Sequence, residues 1–145
     1  MSFPYSYPAV FRRDSAGRWT VSFRDLPEAH TDGKDERETM AEAIDYLGSA
    51  LAFRITHRED VPLPSKQRRG ERSIPAPLWI AGKLALYRAM REQGVKNTEL
   101  ARRLKVRETV VRRMLDPDHA TRTEKLEAAL AALGKRIVVG VEDAA

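Results

Sequence analysis

The sequence predicts an α+β fold in two parts: a small sheet with one helix, followed by a helical unit. Apolar residues alternate near the N-terminus, as in strands, and later recur at helical spacing. Four prolines between residues 62 and 77 interrupt helix formation. Residues 1–60 carry eight Lys/Arg and eleven Asp/Glu, whereas residues 61–145 carry eighteen and ten. This split favours two modules with different partners over a mere drift of surface charge.

The predicted boundaries follow from the prolines. We expect a first domain at residues 1–61, a linker at 62–77 and a second domain at 78–145. The stretch 66–72 is polar and mostly basic, so it could contact phosphates, but a solvated linker is the interpretation that we favour.

The first elements are predicted to be a β-hairpin around the turn cluster 14–17. One strand face carries alternating apolar residues before and after that turn: Tyr5, Tyr7, Ala9, Phe11, Trp19, Val21 and Phe23. Pro27 ends the second strand because proline cannot donate to a ladder. A short third strand around 29–31 ends at Gly33, and an edge strand over 72–74 would give a fourth.

A helix of about five turns is predicted next. Asp35 can cap it, and Glu38 completes a pattern like a capping box. Its apolar residues recur at spacings of three and four: Met40, Ile44, Leu47, Leu51 and Ile55. We expect this face to pack against the strand that carries Val21.

Four helices and a final strand are predicted after the linker. The helices cover 78–93, 98–104, 107–115 and 124–133, and the strand covers 137–141. The residues predicted to cap helix starts are Asn97 or Thr98 for the second helix and Thr123 for the fourth. The predicted stops are Gly94 for the first helix, Asp116-Pro117-Asp118 for the third and Gly134 for the fourth. The inward residues of the first and last helices are Leu84, Tyr87, Met90, Leu126, Leu130 and Leu133.

The pair of short helices has the pattern of a helix-turn-helix. Apolar or small residues fall where two helices at a tight turn must pack: Leu100, Ala101, Leu104, Val106, Val111 and Met114. Seven basic and two acidic residues lie between Lys96 and Arg113, around those positions. The pattern therefore predicts DNA binding, with the second helix in the major groove. The alternative is a helical hairpin that packs on something else.

The positions in such a motif assign roles. The residues expected at base edges are Arg107, Glu108, Thr109 and Arg112. The residues expected at phosphates are Lys96, Thr98, Arg102 and Arg113. Lys105 stands where many such motifs place glycine, so it must adopt the turn without that freedom.

Catalytic chemistry has little support in the sequence. The three histidines lack metal-ligand spacing, and no nucleophile elbow or Gly-rich phosphate loop occurs. We expect no enzyme activity, no catalytic residue, no metal and no cofactor. The chain has no cysteine, no apolar run of about 18 residues and no secretory signal at its start, so we expect a cytoplasmic protein without a membrane partner.

An acidic run lies in the first part. Residues 25–45 carry eight Asp/Glu against Lys34 and Arg37. The carboxylates are spread over a loop and a helix, so a solvated or partner-facing surface fits better than a metal cluster. Complementarity favours a basic protein partner.

The order of parts resembles HicB-type antitoxins over nearly the whole chain. The residues that carry the resemblance are Val21 to Ala29, Thr31-Asp32-Gly33, Glu42-Ala43, Val61 to Ser65, Glu99 to Leu104, His119-Ala120-Thr121 and Leu133-Gly134-Lys135. The more specific pieces are Asp25 to Ala29 and His119 to Arg122; the helix-turn-helix alone indicates only the Xre/Cro class. One departure is Lys34-Asp35, where the family often has Asp-Thr.

The resemblance implies a partial RNase H-like first domain that binds and blocks a small basic ribonuclease toxin, HicA. It also implies a second domain that binds the operator of the shared operon and represses it. The expected toxin-binding residues are Asp25, Glu28, Asp32 and Asp35. No convergent set of carboxylates is identifiable, so we expect no nuclease activity from an RNase H-like domain in this chain.

A homodimer or tetramer is expected for DNA binding. Leaving the final strand unpaired would expose its edge, so we expect it to pair with a second copy. The expected dimerisation residues are Ile137, Val139, Val141, Leu126 and Leu130. Two alternatives stay open: a stand-alone DNA-binding regulator whose first domain senses a ligand or oligomerises, and a nuclease with a DNA-targeting domain.

Overall fold

The computed structural model describes residues 5–144, and the chain divides into two compact units between Ala81 and Gly82. The first unit contains β1 (Ser6–Arg13), β2 (Trp19–Phe23), β3 (His30–Gly33), α1 (Glu36–Thr56) and β4 (Arg72–Pro75). The helix that crosses the division and those that follow it are α2 (Leu78–Gln93), α3 (Asn97–Leu104), α4 (Glu108–Leu115) and α5 (Thr123–Ala131). The predicted α+β class, with a sheet and a helix before a helical part, is confirmed.

The four strands form one antiparallel sheet in the order β3-β2-β1-β4. The predicted hairpin is confirmed, with Ala9 opposite Phe23 and Arg13 opposite Trp19. Gly17 closes its turn at φ +84°, a backbone conformation that favours glycine, and its N–H donates to the Asp14 carbonyl at 3.1 Å. The predicted third strand is also present as β3.

The segment predicted to be a linker contains the predicted edge strand, which is confirmed as β4, and the segment lies in the first unit. β4 pairs with β1, and Ile74 lies opposite Tyr7. The Tyr7 hydroxyl donates to the Pro62 carbonyl at 2.7 Å. Pro75 is compatible with a strand because β4 lies at the edge of the sheet, where a missing N–H can be tolerated. The prolines therefore do not detach the segment from the sheet.

The start of α1 is capped as predicted. The Asp35 carboxylate accepts from the Glu38 N–H at 2.8 Å, and the Glu38 carboxylate accepts from the Lys34 N–H at 2.7 Å. The buried face is rotated slightly from the predicted one. Its members are Thr39, Ala43, Leu47, Gly48, Ala50, Leu51 and Ile55, whereas Met40 and Ile44 are half-buried. Small residues on this face allow the helix to approach its neighbours closely. The spacing of large apolar residues alone does not predict that these small residues are buried.

The second unit has its own apolar core. The buried residues that form it are Leu86, Ala89, Met90, Leu100, Ala101, Val111, Met114, Leu126, Ala129, Leu130 and Leu133. All four helices α2 to α5 contribute to it, and the predicted inward residues Leu84 and Tyr87 are buried too. Burial of this kind is the main favourable term in the folding of such a small unit.

Two capping predictions were wrong. The N-cap of α3 is Lys96, whereas Asn97 or Thr98 was predicted. The N-cap of α5 is Arg122, whereas Thr123 was predicted. Neither N-cap residue makes a side-chain hydrogen bond to its helix. These caps are exposed, so water can satisfy the first N–H groups of both helices. α5 also ends at Ala131, two residues before the predicted end.

The predicted final strand is absent from the described chain. Residues 137–141 have no ladder partner there, and Val139 and Val141 are 67% and 97% exposed. A strand requires a hydrogen-bonding neighbour, which this segment lacks among residues 5–144. Leu126 and Leu130 lie in the core of the second unit, so they are not free to form an interface.

Gly48 provides a test of the packing on α1. A Cβ at this position would meet the Pro77 side chain at 2.6 Å and the Trp79 ring at 2.8 Å. We expect Gly48→Ala to lower the free energy of unfolding by roughly 1–3 kcal/mol through overpacking, although alanine is the better helix former. Urea unfolding measures the change, with exposed Ser49→Ala as the control. A stability gain in Gly48→Ala would contradict the packing.

Candidate functional site

The connection between α3 and α4 is a tight turn closed by the backbone. Lys105 has φ +56° and ψ +42°, the left-handed conformation expected from its place in the turn. The Val106 N–H donates to the Ala101 carbonyl at 3.0 Å, and the Lys105 N–H donates to the Arg102 carbonyl at 3.2 Å. A left-handed residue other than glycine costs roughly 1–2 kcal/mol, so the packing of the two helices must hold this turn in place.

The packing between α3 and α4 is narrow and apolar. Leu100 and Val111 are fully buried, and Ala101 and Met114 are 5% and 4% exposed. Leu104 is half-buried, but Val106, which was predicted to join them, is 37% exposed. The buried residues fix the angle between the helices and leave their other faces to solvent.

The predicted base-contacting residues lie together at the start of α4. Arg107 is the N-cap, and Arg107 and Thr109 are exposed. Glu108 is half-buried, and its carboxylate accepts from the Arg112 guanidinium at 2.5 Å. The Asn97 amide also donates to Glu108, at 3.4 Å. Arg112 therefore lies extended along α4 in an ion pair that solvent or a ligand can reach.

The predicted phosphate-contacting residues are exposed as well: Lys96, Thr98, Arg102 and Arg113. Arg102 and Arg103 both bind the Glu99 carboxylate, at 2.6 Å and 3.0 Å. Hydrogen bonds from these two guanidinium groups lower the pKa of Glu99 to about 2. Glu99 is therefore a carboxylate at neutral pH and partly neutralises the two arginines.

Lys83 on α2 fixes the end of α4, a role that the sequence analysis missed. Its side chain is buried, and its ammonium donates to the carbonyls of Arg113 and Met114 at 3.1 Å and 3.0 Å. The third donor binds the Thr121 hydroxyl at 2.8 Å. Burial lowers the pKa of Lys83, and the nearby Asp116 acts in the opposite direction. The available signal was a lysine inside an apolar stretch, between Ile80 and Leu84.

The predicted toxin-binding acids are already engaged in the first unit. Asp25 is 9% exposed at its side chain and accepts from the backbone and the hydroxyl of Ser65. Asp32 pairs with Arg18 at 3.0 Å, and Asp35 caps α1. Glu28 binds Arg54 at 2.6 Å, and this hydrogen bonding lowers the pKa of Glu28. The structure therefore engages the four carboxylates in separate contacts within the first unit.

Among residues 5–144, no group of three or more His, Cys, Asp or Glu side chains could hold a metal ion. In the same described range, no helix is long and apolar enough to cross a membrane.

Comparisons with known proteins identify the class. Residues 6–85 match a family model described as a HicB-like antitoxin of bacterial toxin-antitoxin systems. Antitoxin HicB 2 of Photorhabdus laumondii is 37% identical over 137 residues, 94% of this chain and 96% of the relative. Antitoxin HicB of Escherichia coli K12 is 34% identical over 131 residues, 90% and 95% of the two chains. Antitoxin HicB of Pseudomonas fluorescens is 31% identical over 144 residues, 99% and 98% of the two.

These matches define an antitoxin of a toxin-antitoxin system, which implies a toxin as its partner. The chain belongs to the HicB-like antitoxin family. The matched relatives are named antitoxins and not enzymes. The family model covers the sheet, α1 and the first half of α2, whereas the relatives extend over α3, α4 and α5 as well.

Lys83 provides a test of how α4 is held. We expect Lys83→Met to lower the free energy of unfolding by roughly 1–3 kcal/mol, because three buried or part-buried acceptors lose their donor. Hydrogen exchange should accelerate most at the end of α4. Exposed Lys125→Met on α5 is the matched control. Equal exchange in wild type and Lys83→Met would show that the ammonium does not hold the helix.

Proposed function

We propose that this antitoxin neutralises a HicA-like mRNA-cleaving toxin through its first unit and represses its own operon through its second. The first unit is the proposed partial RNase H-like domain, and the second contains the proposed helix-turn-helix of Xre/Cro type. The protein would work in the cytoplasm as a homodimer or tetramer. The observation that carries the DNA-binding proposal is the α3-α4 pair, in which basic side chains surround a buried apolar wedge.

The exposed arginines of α4 suit the major groove. Arg107 stands at the first turn, where a recognition helix reaches base edges, and Arg112 lies about one turn further along. An arginine can bind guanine with two hydrogen bonds. The Arg112–Glu108 ion pair is an exposed intrahelical contact, a kind typically worth about 0.3–0.5 kcal/mol, so DNA can compete for the guanidinium.

Four basic or hydroxyl side chains are proposed to bind phosphates: Lys96, Thr98, Arg102 and Arg113. Lys96 and Thr98 lie at the N-terminal end of α3, where backbone N–H groups also favour an anion. In the last turn of α3, Arg102 shares the Glu99 carboxylate with Arg103, so Arg102 keeps donors for a phosphate. Such contacts would position the protein without reading sequence.

DNA binding is tested with the duplex upstream of this chain's own operon and a scrambled duplex. We expect Arg107→Ala or Arg112→Ala to cost roughly 1–3 kcal/mol on the operator and to reduce discrimination. Lys96→Ala should weaken both duplexes about equally and flatten the salt dependence. Lys125→Ala, an exposed lysine on α5, is the control. Unchanged operator affinity in both arginine variants would place the DNA surface elsewhere.

The C-terminal segment is the proposed dimer contact. Val138, Val139 and Val141 are 85%, 67% and 97% exposed, whereas Ile137 is half-buried and packs against the core of the second unit. Ile137 would anchor the segment, and pairing of residues 137–141 with a second copy would cover the valines. Leu126 and Leu130 would then support Ile137 from the core and would not form the interface.

Sedimentation of the full chain tests this contact. We expect a dimer for wild type and a monomer for Val139→Glu with Val141→Glu, because buried unpaired carboxylates oppose association. The exposed substitution Asp143→Asn is the control. The double variant should also lose operator affinity, since a two-fold dimer binds two half-sites. A dimer that survives the double substitution would remove this segment from the interface.

A further inference from the structure

The outward side of α1 carries a surface that none of the contacts above uses. Glu42, Tyr46, Ser49 and Phe53 follow one another at spacings of four, three and four residues, so they share one helix face. Asp45 borders them and is exposed. These five residues are called the α1 outer face below. It lies opposite the buried residues Leu47 and Leu51.

Two aromatic side chains dominate this face. Tyr46 and Phe53 are 45% and 54% exposed, although both are large enough to be buried in a core. The Phe53 ring stacks on His57 with 3.9 Å between the ring centroids. The His57 Nδ1 atom lies 2.8 Å from the Phe53 carbonyl, which holds the stacked pair at the end of the helix. Rigid exposed aromatics of this kind are the usual anchors of protein interfaces.

The carboxylates beside the aromatics are not neutralised. Within residues 5–144, neither Glu42 nor Asp45 has a cationic side chain within 4.0 Å. After Arg37, the only basic residue in α1 is Arg54. Arg54 binds Glu28 at 2.6 Å and the Asp60 carbonyl at 3.0 Å, away from this face. The α1 outer face is therefore acidic and apolar together, in contrast to the paired acids Glu28 and Asp32.

We propose that the α1 outer face is the docking surface for a basic protein. Because the inference rests on the proposed function, that protein is the toxin. Tyr46 and Phe53 enter apolar pockets of the partner and supply most of the affinity. Glu42 and Asp45 attract its cationic surface and raise the association rate. The four acids named from the sequence instead hold the fold of the first unit through their internal contacts.

The test uses the full chain and the purified small protein encoded beside it, with association and dissociation measured at two salt concentrations. Tyr46→Ser and Phe53→Ser should each weaken the complex by about 10-fold or more, mainly through faster dissociation. Glu42→Gln with Asp45→Asn should slow association about 3-fold to 10-fold at low salt and much less at high salt. Two substitutions outside α1 are the controls. Leu63→Ser replaces an exposed apolar residue in the segment after α1, and Glu127→Gln replaces an exposed acid on α5.

Three outcomes would overturn the proposal, and they are distinguishable. If wild type does not bind the toxin, both the docking proposal and the proposed function fail. If wild type binds and all α1 variants bind equally well, the toxin docks elsewhere and the function stands. If Phe53→Ser converts a dimer of the chain to a monomer while toxin affinity is unchanged, the face is an interface between copies. Unchanged thermal unfolding of each variant shows that the substitutions act at the surface.

Discussion

The ammonium of Lys83 is withdrawn from water and donates to three acceptors, two of them carbonyls at the end of α4. Burying a charge costs several kcal/mol unless hydrogen bonds replace its hydration, and here all three donors have a partner. The last carbonyls of a helix carry partial negative charge, which suits a cation. The ammonium therefore fixes α4 against α2, and the exposed side of α4 keeps one orientation.

The turn at Lys105 depends on the same arrangement. A left-handed lysine is unfavourable by itself, so the turn persists because Leu100, Ala101 and Val111 bury a common stripe on both helices. Lys83 holds one end of α4 while this turn holds the other. Exposed arginines on such a pair would need little rearrangement to meet the proposed DNA partner, which would lower the entropic cost of binding.

Charge is used differently in the two units. Glu28, Asp32 and Asp35 make contacts within the first unit, whereas Glu42 and Asp45 on the α1 outer face have no cationic partner among residues 5–144. In the second unit, Glu99 and Glu108 hold neighbouring arginines extended along their own helices. Exposed pairs of this kind contribute little stability, so their value is in orienting the arginines. An acidic partner and a basic partner can thus be bound by separate surfaces of one chain.

Much of the fold could be predicted from the sequence, because strand alternation, helical periodicity and turn glycines are local signals. The hairpin, β3, the Asp35 cap and the bounds of α2 are of this kind. The edge strand over 72–74 was predicted, but the contacts that hold its segment against the sheet were not, because the pairing with Tyr7 and the Asp25–Ser65 hydrogen bonds join positions far apart in the chain. The prediction of a strand at 137–141 was wrong for the part of the chain that the structure describes, because a strand needs a pairing neighbour and the spacing of apolar residues does not show whether one is present.

The candidate site was predictable in part, because helical periodicity is a local signal that shows which faces of α3 and α4 are buried. The exposure of Arg107 and Arg112 follows from the spacing of Leu100, Val111 and Met114. The internal partners of Asp25 and Glu28 lie 40 and 26 residues away, so nothing local showed that these acids were engaged. Lys83 was missed because a single lysine in an apolar stretch does not reveal which carbonyls it will meet.

We propose that the two partners bind to separate units. Hydrogen exchange of the full chain, measured alone, with the toxin and with operator DNA, tests it most directly. We expect that toxin slows exchange within residues 5–81, most at α1, and that DNA slows exchange at α3 and α4. Protection of the same peptides by both partners, or protection of α4 by toxin alone, would contradict the division of binding between the units.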